Sequence, residues 1–275
     1  MSDNATVGSA KLEPRAENFA RRPPAPLWTR LTGAEAPILF LLLLGAWYLV
    51  TALLPLAPNS LLPSPERVLI ALKESLPQLL RGTWSSFLIL VPGYLAAAIL
   101  GVAGGLLVGT VGWLGRAFVP FARVVAPVPP TVYIPYAIAV LPTFQLSAIF
   151  VVFIGAFWPI FVSSIAGAHS LDGRHRDNAR ILGIEGGEFR WRIVLPASLP
   201  HIFSGMAVGL ALSFVLLTVG ELFGANAGLG RFVQYYADFA DYPRMVAGIL
   251  YTGLVTYLAM SALDALKRRL LFWVR

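Results

Sequence analysis

Residues 169–200 read HSLDGRHRDNARILGIEGGEFRWRIVLPASLP, a polar island between two long apolar runs. It holds Arg174, Arg176, Arg180, Arg190 and Arg192 against Asp172, Asp177, Glu185 and Glu188. A short loop this rich in arginine, set between membrane-length segments, is retained on the cytoplasmic side. Within it, Arg174 to Leu182 reads as a short helix, ended by the cluster Gly183, Gly186 and Gly187. A second helix, Glu188 to Val194, is expected to stop at Leu195-Pro196, because proline breaks the helical pattern. Together with the apolar runs along the chain, the island predicts an all-α membrane protein of about six transmembrane helices, with a cytoplasmic helix between the fourth and the fifth.

Composition agrees. The chain has 275 residues, 57% of them hydrophobic and 13% charged, with a mean hydropathy of +0.72. Soluble domains are nearer about 25% charged. A net charge of +7 suggests nucleic acid only if the basic residues cluster, and here they fall at the ends of apolar segments. No nucleic-acid partner is expected; lipid is. There is no cysteine, which excludes disulfides and thiolate metal sites.

In chain order, residues 1–36 read as a polar, proline-broken cytoplasmic tail, and residues 37–270 as the membrane domain. Residues 271–275 form a cytoplasmic end. Pro37–Leu54 is the first expected span, an uncleaved anchor just long enough to cross. Ala57–Arg81 is too polar to span and is read as an outer segment. Its short amphipathic helix starts at Ser64-Pro65 and ends near Leu76. Thr83–Val111 is the second span, with Gly101, Gly105 and Gly109 on one face for close helix packing. Arg116 and Arg123 then mark a short inner loop. Pro127–Pro142, PVPPTVYIPYAIAVLP, carries five prolines in an apolar run. Broken backbone at membrane depth is tolerated only where it is buried in protein or lines a wet cavity, so this is the pore-lining candidate. Gln145–Ala166, with a kink expected at Trp158-Pro159, His201–Gly224 and Met245–Leu263 complete the spans. This layout leaves sixteen of the twenty-one basic residues inside and five outside, which places both termini in the cytoplasm.

No stretch matches GxxxxGK[ST], so the chain is not expected to hydrolyse ATP itself. His169, His175 and His201 lack metal-ligand spacing on one helix face. Glu221 is the one ionisable residue inside an expected span. Such a group faces the bundle interior or a wet cavity. It is read either as part of a conduit mouth or as paired with a backbone group or Arg231. Tyr133, Tyr136, Phe144, Gln145 and Thr218 are the other candidates for a central path, each with helix packing as its alternative.

Asp177-Asn178-Ala179, then Gly183, Ile193 and Leu195-Pro196, resembles the EAA motif of membrane subunits of bacterial ATP-binding cassette importers. Asp177 and Asn178 stand where that motif has Glu-Ala, while Ala179, Gly183, Ile193, Leu195 and Pro196 match it. The resemblance covers about Trp84 to Leu270. It implies a multi-pass permease of the bacterial inner membrane that pairs with a second copy of itself or a close homologue. It further implies two cytoplasmic ATPase subunits, which bind the ATP and magnesium, and a periplasmic or lipid-anchored substrate-binding protein. Arg174, Asp177, Asn178, Ala179, Gly183, Ile193, Leu195 and Pro196 would then couple the chain to the ATPase. Pro127–Pro142, the FWPIF run and TVGELFGANAGLGRFV look most like the branch for nitrate, sulfonates, taurine and bicarbonate. Other members of the family take different small solutes. An ion-gradient-driven transporter is the rival class, but it calls for several intramembrane charges and inverted repeats, and it leaves the island unexplained.

Overall fold

A computed structural model describes residues 35–53, 61–171 and 173–273. Most of the expected N-terminal tail, Asp172, the last two residues and the side chain of Arg174 lie outside the described residues. Ten α-helices appear among them: α1 Glu35–Leu53, α2 Pro65–Thr110, α3 Gly112–Val125, α4 Tyr133–Val140, α5 Phe144–His169, α6 Gly173–Ile181, α7 Gly186–Phe189, α8 Leu195–Gly224, α9 Leu229–Asp238 and α10 Tyr242–Leu270. The all-α expectation holds. Helix α1 is apolar along its length. Its described apolar stretch is Ile38–Thr51, and the residues flanking the helix on both sides lie outside the described ones. Four helices are long and apolar enough to cross a membrane among the described residues, or five if the bent pair α3–α4 is one span; α1 is the remaining member of the expected six.

The second span is longer than expected. The amphipathic segment and the span are one 46-residue helix, α2, running through Pro77, Arg81 and Pro92. Its buried face explains this. Val68, Ala71, Ser75, Leu79, Gly82, Ser86, Ile89, Gly93 and Ala97 recur at three- and four-residue spacing straight through the polar region. Arg116 and Arg123 likewise sit on a helix, α3, and not in a loop.

The core is the packing of α2 on α5 and of α5 on α8. A Cβ at Gly105 would come 2.5 Å from Ser164 Cβ and 2.6 Å from the Phe161 carbonyl; one at Gly109 would come 2.6 Å from Ala168 Cβ. Gly101 meets Ile160 in the same row, so the small-residue stripe packs within this chain. The other face of α5 approaches α8 as closely, with Gly205 against Ser163 and the Pro159 carbonyl. Leu79, Val152, Ile160, Phe214 and Leu217 fill the space between them. Tyr94 donates to the Met206 carbonyl at 2.9 Å, tying α2 to α8.

The proline-rich segment is broken, as its sequence requires. Helices α3 and α4 meet at 75° across Ala126–Pro129, with a single 3-10 turn at Pro130–Val132. Ile134 and Ala137 of α4 are buried against Val151 and Leu216. Ser147 donates to the Ala137 carbonyl at 3.0 Å, which also accepts from the Leu141 N–H at the end of α4, and so ties α5 to α4. Helix α5 is one unbroken element through Pro159, with Thr143 capping its first turn.

Proline does not stop the helix at Leu195-Pro196. Residues Arg190–Val194 form a π turn, in which the Leu195 N–H bonds to the Arg190 carbonyl five residues back. The wider turn relieves the clash and the missing donor that proline brings, and the chain continues into α8.

Candidate functional site

The polar island folds as predicted to within a residue: α6 spans Gly173–Ile181. Gly183 ends it with φ +71°, and the Ile184 N–H donates to the Ala179 carbonyl at 2.9 Å. That six-to-one bond across a left-handed residue is a Schellman cap, and it reverses the chain without a side chain. Nothing lies within 4 Å of a Cβ built on Gly183, so only the backbone conformation favours glycine there.

Two details of α6 bear on what it presents to a partner. Asp177 is the fifth helical residue, and the first turn carries no acidic group, so Asp177 does not complement the helix N-terminus. Ala179 faces inward, 2% exposed. The outward apolar surface belongs to Ile181, 83% exposed, and Leu182, 73% exposed, which the sequence reading passed over. Two adjacent apolar residues before a glycine, in an otherwise charged loop, were the available signal. Asn178 is exposed beside Asp177, and Ile193, Leu195 and Pro196 are half-buried where the loop enters α8.

At the opposite end of α8, Glu221 is fully buried. Its Oε1 accepts from the Ser86 hydroxyl at 2.5 Å and its Oε2 from the Gly230 N–H at 2.6 Å. Ser86 Oγ in turn accepts from the Leu229 N–H at 3.0 Å. One carboxylate thus fastens the α8–α9 turn down onto α2. The glycines of the GLG run fit this arrangement: a Cβ on Gly228, at φ +147°, would overlap the Glu221 carboxylate, and one on Gly230 would meet the Thr218 carbonyl at 2.5 Å. Arg231 is not a partner of Glu221; the backbone-pairing alternative is the one present.

The remaining path candidates lie elsewhere around α8. Tyr133 is half-buried and Tyr136 is 68% exposed on α4; Gln145 is exposed at the start of α5. Phe144 lies against Gly224, and Thr218 donates to the Phe214 carbonyl at 2.8 Å. The start of α5, α4 and the end of α8 line one small cavity. Glu221 instead bonds to α2 and α9. No group of three or more histidine or acidic side chains is placed to hold a metal among the described residues.

This bundle of apolar helices with one capped polar loop belongs to a known class. Residues 101–272 match the family model described as "Binding-protein-dependent transport system inner membrane component", and the chain belongs to that family. Among its relatives, the nitrate import permease protein NrtB of Synechocystis sp. is 31% identical over 163 residues, 59% of each chain. NrtB of Leptolyngbya laminosa is 30% identical over 177 residues, 64% of this chain and 63% of that one. The chain thus spans about three-fifths of the length of these nitrate permeases. The taurine transport system permease protein TauC of Escherichia coli is 29% identical over 238 residues, covering 84% of this chain and 86% of its own.

Proposed function

We propose that this chain is the permease subunit of an ATP-binding cassette importer for a small anion of the nitrate, sulfonate, taurine or bicarbonate class. Two copies, or this chain and a close homologue, enclose one conduit in the inner membrane, with both termini cytoplasmic. Two cytoplasmic ATPase subunits bind ATP and magnesium, and a periplasmic or lipid-anchored binding protein delivers the solute. The observation that carries this reading is α6. It is a short helix turned back by Gly183, with Ile181 and Leu182 exposed at its end. Apolar side chains this exposed in a charged loop are what a protein partner covers. Arg174, Asp177 and Asn178 supply polar contacts around them, and Ala179, Ile193, Leu195 and Pro196 hold the loop to the spans. On this reading Tyr133, Tyr136, Phe144, Gln145 and Thr218 lie towards the conduit, while Glu221 acts as a clamp at its outer end. The anion class rests on the names of the nitrate and taurine relatives.

The test is co-purification: the tagged chain, expressed with its ATPase and binding protein, should retain the ATPase in detergent. The purified chain alone should show no nucleotide hydrolysis above buffer, and appreciable turnover by it would refute the division of labour. Native mass measurement of the complex should find two permease-sized chains per two ATPases. A stable assembly with one such chain would refute the paired conduit.

A further inference from the structure

A cavity of about 480 Å³ lies between α2 and α9, lined by Arg81, Gln78, Asn226, Arg231, Phe232 and Tyr235, among others. Its volume is that of small-molecule sites. Among the described residues, neither arginine has a carboxylate within ion-pair distance. The nearby acids are engaged. Arg244 pairs with Glu74 at 3.2 Å and with Asp241 at 2.7 Å, Asp238 accepts from Gln234, and Glu221 is bound beneath the Gly228 turn. Gln78 accepts from the Tyr236 hydroxyl through Oε1, which leaves its amide N–H groups as donors. The cavity therefore combines two uncompensated guanidiniums, amide donors and aromatic wall.

We infer that this cavity binds a small organic anion, its sulfonate or carboxylate head between Arg81 and Arg231 and its apolar body against Phe232 and Tyr235. Guanidinium forks match the planar or tetrahedral oxygens of such heads. The aromatic wall gives an organic body an advantage that bare nitrate lacks. If the importer reading above holds, the cavity opens at the outer face, where a delivered anion first meets the permease. Glu221 then serves the site indirectly, by holding the turn that carries Asn226 and the start of α9.

Binding is measured on the purified full-length chain in phosphatidylcholine nanodiscs by calorimetry, with benzenesulfonate as the probe. One molecule should bind per chain. Arg81→Gln and Arg231→Gln should each weaken it about tenfold or more, as loss of a charge-assisted hydrogen bond does. Neutral benzenesulfonamide should not bind, and nitrate should bind at least tenfold more weakly. Circular dichroism and monodispersity of both variants should match the parent, since among the described residues neither guanidinium is ion-paired. No benzenesulfonate binding, or binding that neither substitution changes, overturns the site; nitrate binding as tight as the sulfonate overturns the organic class. Phosphatidylglycerol in the nanodisc should leave the affinity within threefold. A loss beyond that assigns the cavity to a lipid phosphate and overturns the inference. Failure of the importer reading, seen as no ATPase partner or an uncharged solute, leaves this measurement intact, so the two fail separately.

Discussion

Replacing Gly183 with valine is expected to uncouple the chain from the ATPase partner proposed above while leaving it inserted and folded. The backbone at Gly183 sits at φ +71°, and no neighbouring atom lies within 4 Å of its Cβ position. The cost is therefore conformational and local. A β-branched residue in the left-handed region loses roughly 1–2 kcal/mol against the alternatives. That is enough to turn the Schellman cap from the dominant arrangement into a minor one, a shift of about five- to thirtyfold in its population. Without the cap, the Ile184 N–H releases the Ala179 carbonyl, and Ile181 and Leu182 are no longer presented at a fixed angle. Co-purified ATPase and transport-coupled hydrolysis should both fall at least fivefold, at unchanged permease yield. Gly183→Asn is the control, because asparagine tolerates this conformation and should retain most of both activities. Normal assembly and coupling in Gly183→Val would reduce the island to a solvated loop.

The island was legible because its signals are local. Glycines after a charged helix and arginine between apolar runs need no knowledge of distant residues, and the predicted helix matches α6 within one residue at each end. The glycine stripe was legible too, as a row fit for close approach; its partner, α5, was not. Two errors came from reading one feature at a time. The polarity of Ala57–Arg81 suggested a separate outer segment, yet the buried face runs through it at helical spacing, and helix continuity follows the buried face. Pro196 suggested a stop, but a π turn placed just ahead of it removes the conflict. Glu221 shows the opposite limit. Sequence marked it as costly and therefore partnered. Ser86 lies 135 residues away, though, and no local pattern pairs them.

Removing that carboxylate is the other change expected to have a large effect. In Glu221→Ala the Ser86 hydroxyl loses its acceptor and the Gly230 N–H is left buried without one. Each unpaired buried donor costs roughly 1–3 kcal/mol. Ser86 can recover part of its share by turning its hydroxyl to a carbonyl of its own helix, whereas Gly230 has no such rotation. A net loss of about 2–4 kcal/mol follows, which for a chain of this size lowers the unfolding midpoint by about 5–15 °C. The damage should be concentrated at the α8–α9 turn. The Leu229 and Gly230 backbone donors are received by Ser86 and the carboxylate, which hold the turn to α2 and α8. Hydrogen exchange at Leu229 and Gly230 should accelerate at least tenfold, while α6 and the Gly105 row keep their protection. Glu221→Gln separates the acceptor role from the charge. Its carbonyl can still accept from Gly230, and its amide can donate to Ser86 Oγ, so this variant should retain most of the stability. If Glu221→Ala exchanges and melts as the parent does, the turn is held by packing alone and Glu221 is not its clamp.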